Sequence, residues 1–171
     1  MATVRETIVA QVAANMLRLP LGVPAGGESE QIERVEREWQ APEMLPEMPF
    51  CFVLDPSEDK AFGGGRGGAI LSTYRATLRL LIIVIAKAGR KVRDETQSTT
   101  ANRILGEVQR KMYAESRPDS GNLRAINGLD FVHDDGSVWA PFGEAAPSLI
   151  RVQSNWVIQY RHSDLDPDGP P

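Results

Sequence analysis

The segment from Tyr74 to Lys87 constrains the fold of this chain more than any other, because its apolar residues recur with a period of two. One face is entirely apolar or aromatic and consists of Tyr74, Ala76, Leu78, Leu80, Ile82, Val84 and Ala86. The other face begins with Arg75, Thr77 and Arg79 and continues with Leu81, Ile83, Ile85 and Lys87. A period of two is that of a β-strand. We predict a strand, reaching back as far as Ile70, that is covered on one face in its first half and on both faces in its second half.

A second long strand is predicted over Leu149–Arg161. Its apolar positions are Ile150, Val152, Trp156, Ile158 and Tyr160, and its polar positions are Arg151, Gln153, Asn155, Gln159 and Arg161. This alternation is typical of an antiparallel strand with one buried face. The first strand would extend about 46 Å, at about 3.3 Å per residue, which is long for one domain. We therefore expect part of it to project beyond the core.

Two helices are predicted. The first covers Val4–Leu17, with Thr3 and Glu6 at the spacing of a capping box and with an apolar stripe of Ile8, Val9, Val12 and Met16. The second covers Asp94–Glu115, with Asp94 as the candidate N-cap. Its apolar stripe is Ala101, Ile104, Leu105, Val108 and Met112. Its solvent face is expected to carry Arg103, Glu107, Arg110 and Lys111, with Glu107 and Lys111 as an i,i+4 ion pair.

Shorter segments complete the pattern. Ile32–Trp39 favours a short edge strand, with a helical turn as the alternative, and a proline-rich lead-in over 41–49 precedes a buried strand at Phe50–Leu54. Cys51 lies inside that apolar strand and is interpreted as a buried structural thiol.

Two longer segments are predicted to lack regular structure: Asp55–Gly68 is predicted to be a loop, and 116–148 an irregular region. Within it, Asp134-Asp135-Gly136-Ser137 would turn a hairpin between Leu123–Val132 and Val138–Phe142.

The glycine-rich segment Gly63-Gly64-Gly65-Arg66-Gly67-Gly68 has two functional alternatives to a flexible hairpin loop. A phosphate-binding Walker loop would need a Gly-Lys-Ser/Thr ending that opens a helix, and this segment lacks it. A nucleic-acid-binding RGG element usually repeats, and the triplet occurs once. We therefore interpret the segment as a flexible hairpin loop, and ordering against a neighbouring subunit is compatible with this interpretation.

Together these elements predict an α+β fold, with a mixed, mostly antiparallel sheet and two main helices packed on one face. A length of 171 residues suits one domain, which we place at 1–163, followed by a flexible acidic and proline-containing segment at 164–171. No secretory leader is expected from the first residues, and no apolar run reaches the roughly 20 residues of a membrane span.

Charge and motifs argue against two function classes. A net charge of −4 is unlike that of a protein that grips nucleic acid through many phosphates, although DNA passing by is compatible with it. His133, Asp134 and Asp135 form the one candidate for a cation site or a metal-dependent hydrolase, and a solvated turn explains them better, because Asp and Gly are typical turn residues. The chain contains no other catalytic or metal-binding motif that we recognise. We expect a non-enzymatic protein without metal or cofactor.

The order of elements resembles that of the tail terminator (tail completion) proteins of long-tailed, lambda-type bacteriophages. Three parts carry the resemblance: the last strand followed by Arg161-His162-Ser163-Asp164-Leu165-Asp166-Pro167, the lead-in from Leu45 to Val53, and Leu80–Ile85 followed by Asp94 and a helix. It covers about residues 3–167. The Gly loop and the stretch 116–148 are larger than the family minimum. The resemblance implies a ring, usually a hexamer, that ends the tail tube and joins it to the head.

The resemblance also implies partners and a location. The partners would be further copies of the chain, the tail tube protein, a head–tail connector or neck protein, and genomic DNA crossing the lumen without sequence reading. The location would be the head-proximal end of a virion tail assembled in the host cytoplasm. As subunit contacts we predict Arg37, Gly63, Gly64, Gly65, Arg66, Gly67, Gly68, Arg75 and Arg79. The alternative is another neck, head-completion or baseplate protein.

Overall fold

A computed structural model describes residues 3–22, 30–39, 48–62, 73–87, 96–141 and 148–163. Its elements, in chain order, are α1 (Val4–Met16), β1 (Arg34–Glu36), β2 (Phe50–Phe62), β3 (Thr73–Lys87), α2 (Gln97–Glu115), β4 (Leu129–Pro141) and β5 (Leu149–Ser163). The strands form one sheet in the order β1-β2-β3-β5-β4. β1 runs parallel to β2, and the other neighbours are antiparallel. The predicted α+β class with a mixed, mostly antiparallel sheet is confirmed.

The centre of the sheet is the ladder between β3 and β5, the two strands that the alternating patterns predicted. Each has 15 residues, and the register runs without a break from Thr73 opposite Ser163 to Lys87 opposite Leu149. At about 3.3 Å per residue the ladder is about 50 Å long. The two ends of the ladder therefore lie far apart, so a contact between copies of the chain can involve one end without the other.

Both helices pack on one face of the sheet, which we call the inner face. The largest fully buried side chains of this core include Trp156, Tyr160, Leu78 and Leu80. Trp156 meets the edge of Tyr113 from α2 at 5.3 Å between ring centroids. Its indole N–H donates to the buried hydroxyl of Ser154 at 2.9 Å, so these two polar groups satisfy each other inside the core.

The opposite, outer face of the sheet divides into an apolar half and a polar half. In the apolar half Phe50, Phe52, Ile83 and Ile85 form a second buried cluster. In the polar half Arg75 and Arg79 are exposed. The prediction that β3 is covered on one face at its start and on both faces later is confirmed.

β2 is longer than predicted. Residues Asp55–Phe62, expected to belong to a loop, continue the strand and pair with β3 as far as Phe62 opposite Tyr74. The register shifts between Leu54 and Ser57, and Pro56 lies at this bulge. A bulge accommodates a proline because the ladder hydrogen bond is interrupted there. This segment is rich in charged residues because the end of the strand is exposed to solvent, not because the segment is a loop.

The predicted hairpin across Asp134–Ser137 is wrong. Residues Leu129–Pro141 form one strand along β5, and the register shifts between Asp134 and Ser137. Gly136 has φ 96° and its N–H is bound by the Asp134 carboxylate at 2.8 Å. Asp135 and Gly136 form a bulge within a continuous strand, because the residues before and after them both pair with β5.

The helices differ in detail from the prediction. α1 begins at the Thr3 cap as expected, with Thr3 Oγ1 accepting the Glu6 N–H at 3.0 Å. α2 begins after Thr96, whose Oγ1 accepts the Thr99 N–H at 3.2 Å, so the cap is Thr96; Asp94 lies outside the described residues. Glu107 pairs with Arg110, and Lys111 pairs with Glu115, in place of the predicted Glu107–Lys111 pair.

Arg103 does not face water as predicted. Its side chain is 13% exposed, and its guanidinium donates to the carbonyl of Leu21 and approaches Glu30 at 3.4 Å. It therefore connects α2 to the segment that follows α1.

Cys51 is fully buried, as expected, and burial raises the pKa of its thiol far above the ordinary value. No helix among the described residues is long and apolar enough to cross a membrane.

Candidate functional site

The polar half of the outer face carries most of the predicted contact residues that the structure describes. Arg75 lies directly opposite Arg161 in the β3–β5 ladder, an arrangement that like charges disfavour. Asp130, at the first bulge of β4, relieves it: its carboxylate binds Arg161 at 2.7 Å and lies 4.0 Å from Arg75. Arg75 is nevertheless 62% exposed, so its guanidinium remains open to a partner.

Arg79 lies further along the same face. It approaches Asp135 at 3.8 Å, and both side chains are more than half exposed. Exposed ion pairs of this kind contribute about 0–1 kcal/mol, because water screens them. Arg79 can therefore exchange Asp135 for a carboxylate on another molecule at little cost.

Arg37, the third predicted contact arginine, is engaged within the subunit. Its two terminal guanidinium nitrogens bind the two carboxylate oxygens of Glu6 on α1. This pairing lowers the pKa of Glu6 and raises the pKa of Arg37, each through the hydrogen bond between them. Arg37 therefore fastens the segment after β1 to α1. If Arg37 also contacts a neighbouring subunit, it can do so only through the exposed part of its side chain.

The glycine-rich residues Gly63–Gly68, including Arg66, lie outside the described residues. β2 and β3 are adjacent and antiparallel, so the segment 63–72 connects the two ends at Phe62 and Thr73. Arg75 is two residues from that end. Of the two exposed arginines, Arg75 is therefore the one nearer to the end of the sheet at Phe62 and Thr73.

The candidate cation site does not assemble. His133 is exposed on the outer face and stacks on Phe131 at 5.6 Å between ring centroids. Asp134 lies opposite Trp156 and accepts a hydrogen bond from Gln109 of α2 at 2.7 Å. Asp135 turns toward Arg79. The described residues contain no cluster of three or more possible metal ligands.

One charged cluster on the inner side has no signature in the sequence. The Tyr160 hydroxyl donates to Glu58, whose carboxylate lies 3.7 Å from Arg5 and 3.5 Å from Lys60. Arg5 also binds Asp55 at 2.8 Å. The cluster joins the start of α1 to β2 and β5 over sequence separations that no local pattern encodes. Its chemistry is that of structural ion pairing.

Comparisons with known proteins give a loose similarity of fold to solved structures and nothing closer. No family model and no curated protein matches this chain. Among the solved structures that it resembles is a chain of the virion of a native gene transfer agent particle, with 14% sequence identity and a TM-score of 0.43. The alignment covers 75% of this chain and 78% of that one. The likeness concerns the arrangement of helices and strands.

Proposed function

We propose that this chain is a structural subunit of a phage-type virion, and that its copies form a ring that terminates the tail tube and joins it to the head connector. The observation that carries the proposal is the layout of the elements. A capped helix, a proline-rich lead-in, a long strand followed by a helix, and a last one-sided strand before Asp164-Leu165-Asp166-Pro167 occur in the order of the tail terminator proteins.

The surface chemistry supports an assembly role. The polar half of the outer face presents the exposed arginines Arg75 and Arg79 beside exposed apolar side chains of β4, Phe131 and Val138. β4 pairs only with β5 among the described strands, so its other edge is open to strand addition. In a ring, one surface of each subunit contacts a different surface of the next subunit. The exposed outer face and the unpaired edge of β4 are two such surfaces.

The described residues offer little for catalysis. His133 and Cys51 do not lie beside a second group with which they could act as base or nucleophile: His133 stacks on Phe131, and Cys51 is buried. Genomic DNA would pass through the ring without sequence reading, since a net charge of −4 disfavours binding to many phosphates. A gene transfer agent particle is likewise a virion.

Two measurements test the proposal. Native mass spectrometry and negative-stain electron microscopy of the purified chain should show closed rings at tens of micromolar subunit concentration. Antibody labelling of particles should then mark the junction between tail and head. A strict monomer that does not bind tail tubes contradicts the ring. Labelling at the distal tip would instead favour a baseplate protein.

A further inference from the structure

A surface cavity of about 240 Å³ opens on the outer face, far from Arg75 and Arg79. It lies at the end of the sheet where β3 finishes and β5 begins. Its described lining residues are Trp39, Ala140, Pro141 and Arg151.

The side chains of the cavity suit an extended peptide that contains proline. Trp39 packs one side of its ring system on Phe52, at 4.7 Å between centroids, and is still 49% exposed. Pro141 and Ala140 supply further apolar surface without hydrogen-bonding side chains. An exposed indole beside small apolar groups is the surface on which proline rings pack in peptide recognition.

Two cationic side chains lie at this end of the outer face. Lys87 and Arg151 are diagonal neighbours in the ladder, because Lys87 pairs with Leu149 and Ile85 pairs with Arg151. Neither side chain forms an ion pair or hydrogen bond within the described part of the chain. The nearby Arg34 and Glu36 neutralise each other at 2.6 Å. Two cations are therefore available for carboxylates.

The chain itself contains a segment of the complementary chemistry. Residues 164–171 read Asp-Leu-Asp-Pro-Asp-Gly-Pro-Pro, with three aspartates, three prolines and no cation. The planar guanidinium of Arg151 can bind an aspartate through two parallel hydrogen bonds. Trp39 and Pro141 can pack against the prolines.

The segment 164–171 cannot reach the cavity of its own subunit. It follows Ser163, which pairs with Thr73 at the opposite end of the ladder. Twelve residues of β5 separate Ser163 from Arg151, which amounts to about 40 Å. Eight fully extended residues span at most about 29 Å. An occupant with this sequence must come from a second copy.

We propose that Trp39, Ala140, Pro141 and Arg151, with Lys87 beside them, form a docking site for the segment 164–171 of a neighbouring copy. The contact joins one end of the sheet to the other end in the next subunit, so it is head-to-tail. The inference deepens the proposed ring and rests on it for closure of the contacts into a ring.

A peptide of residues 163–171, labelled with fluorescein, provides a direct probe. Anisotropy titration with the full chain, kept dilute enough to be monomeric, should show binding. Arg151→Glu should weaken this binding about tenfold or more, since it replaces attraction by repulsion. Arg110→Glu, a matched reversal on the solvent face of α2, should leave it unchanged. Equal binding by the two variants, or no binding at millimolar peptide, would overturn the docking site.

Exchange of charges strengthens this test. A peptide with lysine at positions 164, 166 and 168 should bind the Arg151→Glu variant better than the unaltered chain. Trp39→Ala should weaken the original peptide without reversing that charge preference. A lysine peptide that prefers the unaltered chain would contradict recognition through Arg151. Circular dichroism of each variant verifies that the fold is retained.

Native mass spectrometry separates this contact from the ring. Rings that survive both Arg151→Glu and the triple change of Asp164, Asp166 and Asp168 to asparagine overturn the docking site and leave the ring in place. Loss of rings in both variants supports it. A chain that stays monomeric, yet binds the peptide in an Arg151-dependent way, overturns the ring and retains the docking site.

Discussion

At the scale of single residues, Gly121 lies where a side chain has no room. A Cβ placed there would come within 1.9 Å of the carbonyl oxygen of Glu115 and 2.9 Å of the Arg117 nitrogen. Both are backbone atoms and cannot turn aside. The turns after α2 are built on this close approach, with the Arg124 N–H donating to the Glu115 carbonyl at 3.3 Å.

Gly121→Ala should therefore destabilise the protein by about 1–3 kcal/mol, the usual cost of overpacking. Gly106→Ala is the matched control, because its Cβ would meet nothing within 4 Å in the middle of α2. That control should be stabilising by about 0.5–1 kcal/mol through helix propensity. Urea denaturation of both variants measures the difference. Two equal free energies of unfolding would contradict the packing around Gly121.

Glu115 is a buried carboxylate at the end of α2. Burial alone would raise its pKa, but the hydrogen bonds from Lys111 and from the Asn122 N–H outweigh burial and hold the pKa below its ordinary value. A lowered pKa in the folded state stabilises the protein above the unfolded-state value of about 4.5. This contribution is lost as the pH falls through the folded-state pKa.

Glu115→Gln should cost about 1–3 kcal/mol at neutral pH, since two hydrogen bonds to a charged group are weakened. The difference from the unaltered chain should shrink as the pH falls below about 4.5. Denaturation curves across this pH range measure it, with Glu107→Gln on the same helix as control. A difference that does not change with pH would argue against ionised Glu115 as the cause.

At the scale of elements, the β3–β5 ladder forms the centre of the sheet and contributes both of its strands to the core. Ile82 and Ile158 are fully buried on the inner face, one on each strand. The buried core to which they belong also contains residues of α1, α2 and the other strands, which lie far apart in the sequence. Substitution of either residue therefore tests the assigned inner face of its strand.

Ile82→Ala and Ile158→Ala should each destabilise the protein by about 2–5 kcal/mol, through lost burial and the cavity left behind. Val157→Ala, next to Ile158 but on the partly exposed outer face, should cost less. Thermal and urea denaturation provide the comparison. A cost near zero at Ile82 or Ile158 would mean that the assigned strand faces are reversed.

At the scale of the whole molecule, the outer face is where one subunit would meet another. Arg79→Glu should leave the free energy of unfolding within about 0.5 kcal/mol, as surface substitutions usually do. It should reduce the fraction of assembled chain in native mass spectra, with Arg110→Glu as the control reversal. Equal loss of stability and assembly would place Arg79 in the fold and not in the interface.

The alternating patterns of β3 and β5 determined their faces, because burial on a pleated strand repeats every second residue and is therefore legible locally. The apolar stripe and the Thr3 cap determined α1 in the same way. Other features depended on contacts between distant segments. Asp134-Asp135-Gly136 became a bulge because β5 pairs on both sides of it. Asp55–Phe62 became strand because β3 extends alongside it.

The residues of the candidate contact surfaces also divide into those that the sequence determined and those that the tertiary structure decided. The sequence by itself determined that Arg75 and Arg79 share a polar strand face, since they are two strand periods apart. Only the tertiary structure decided that Arg37 binds Glu6, that Arg103 donates to the Leu21 carbonyl, and that Trp39 and Arg151 line the same cavity. The physical reason is that periodicity encodes which way a side chain points, whereas its partners depend on how the chain returns to the same place after many residues.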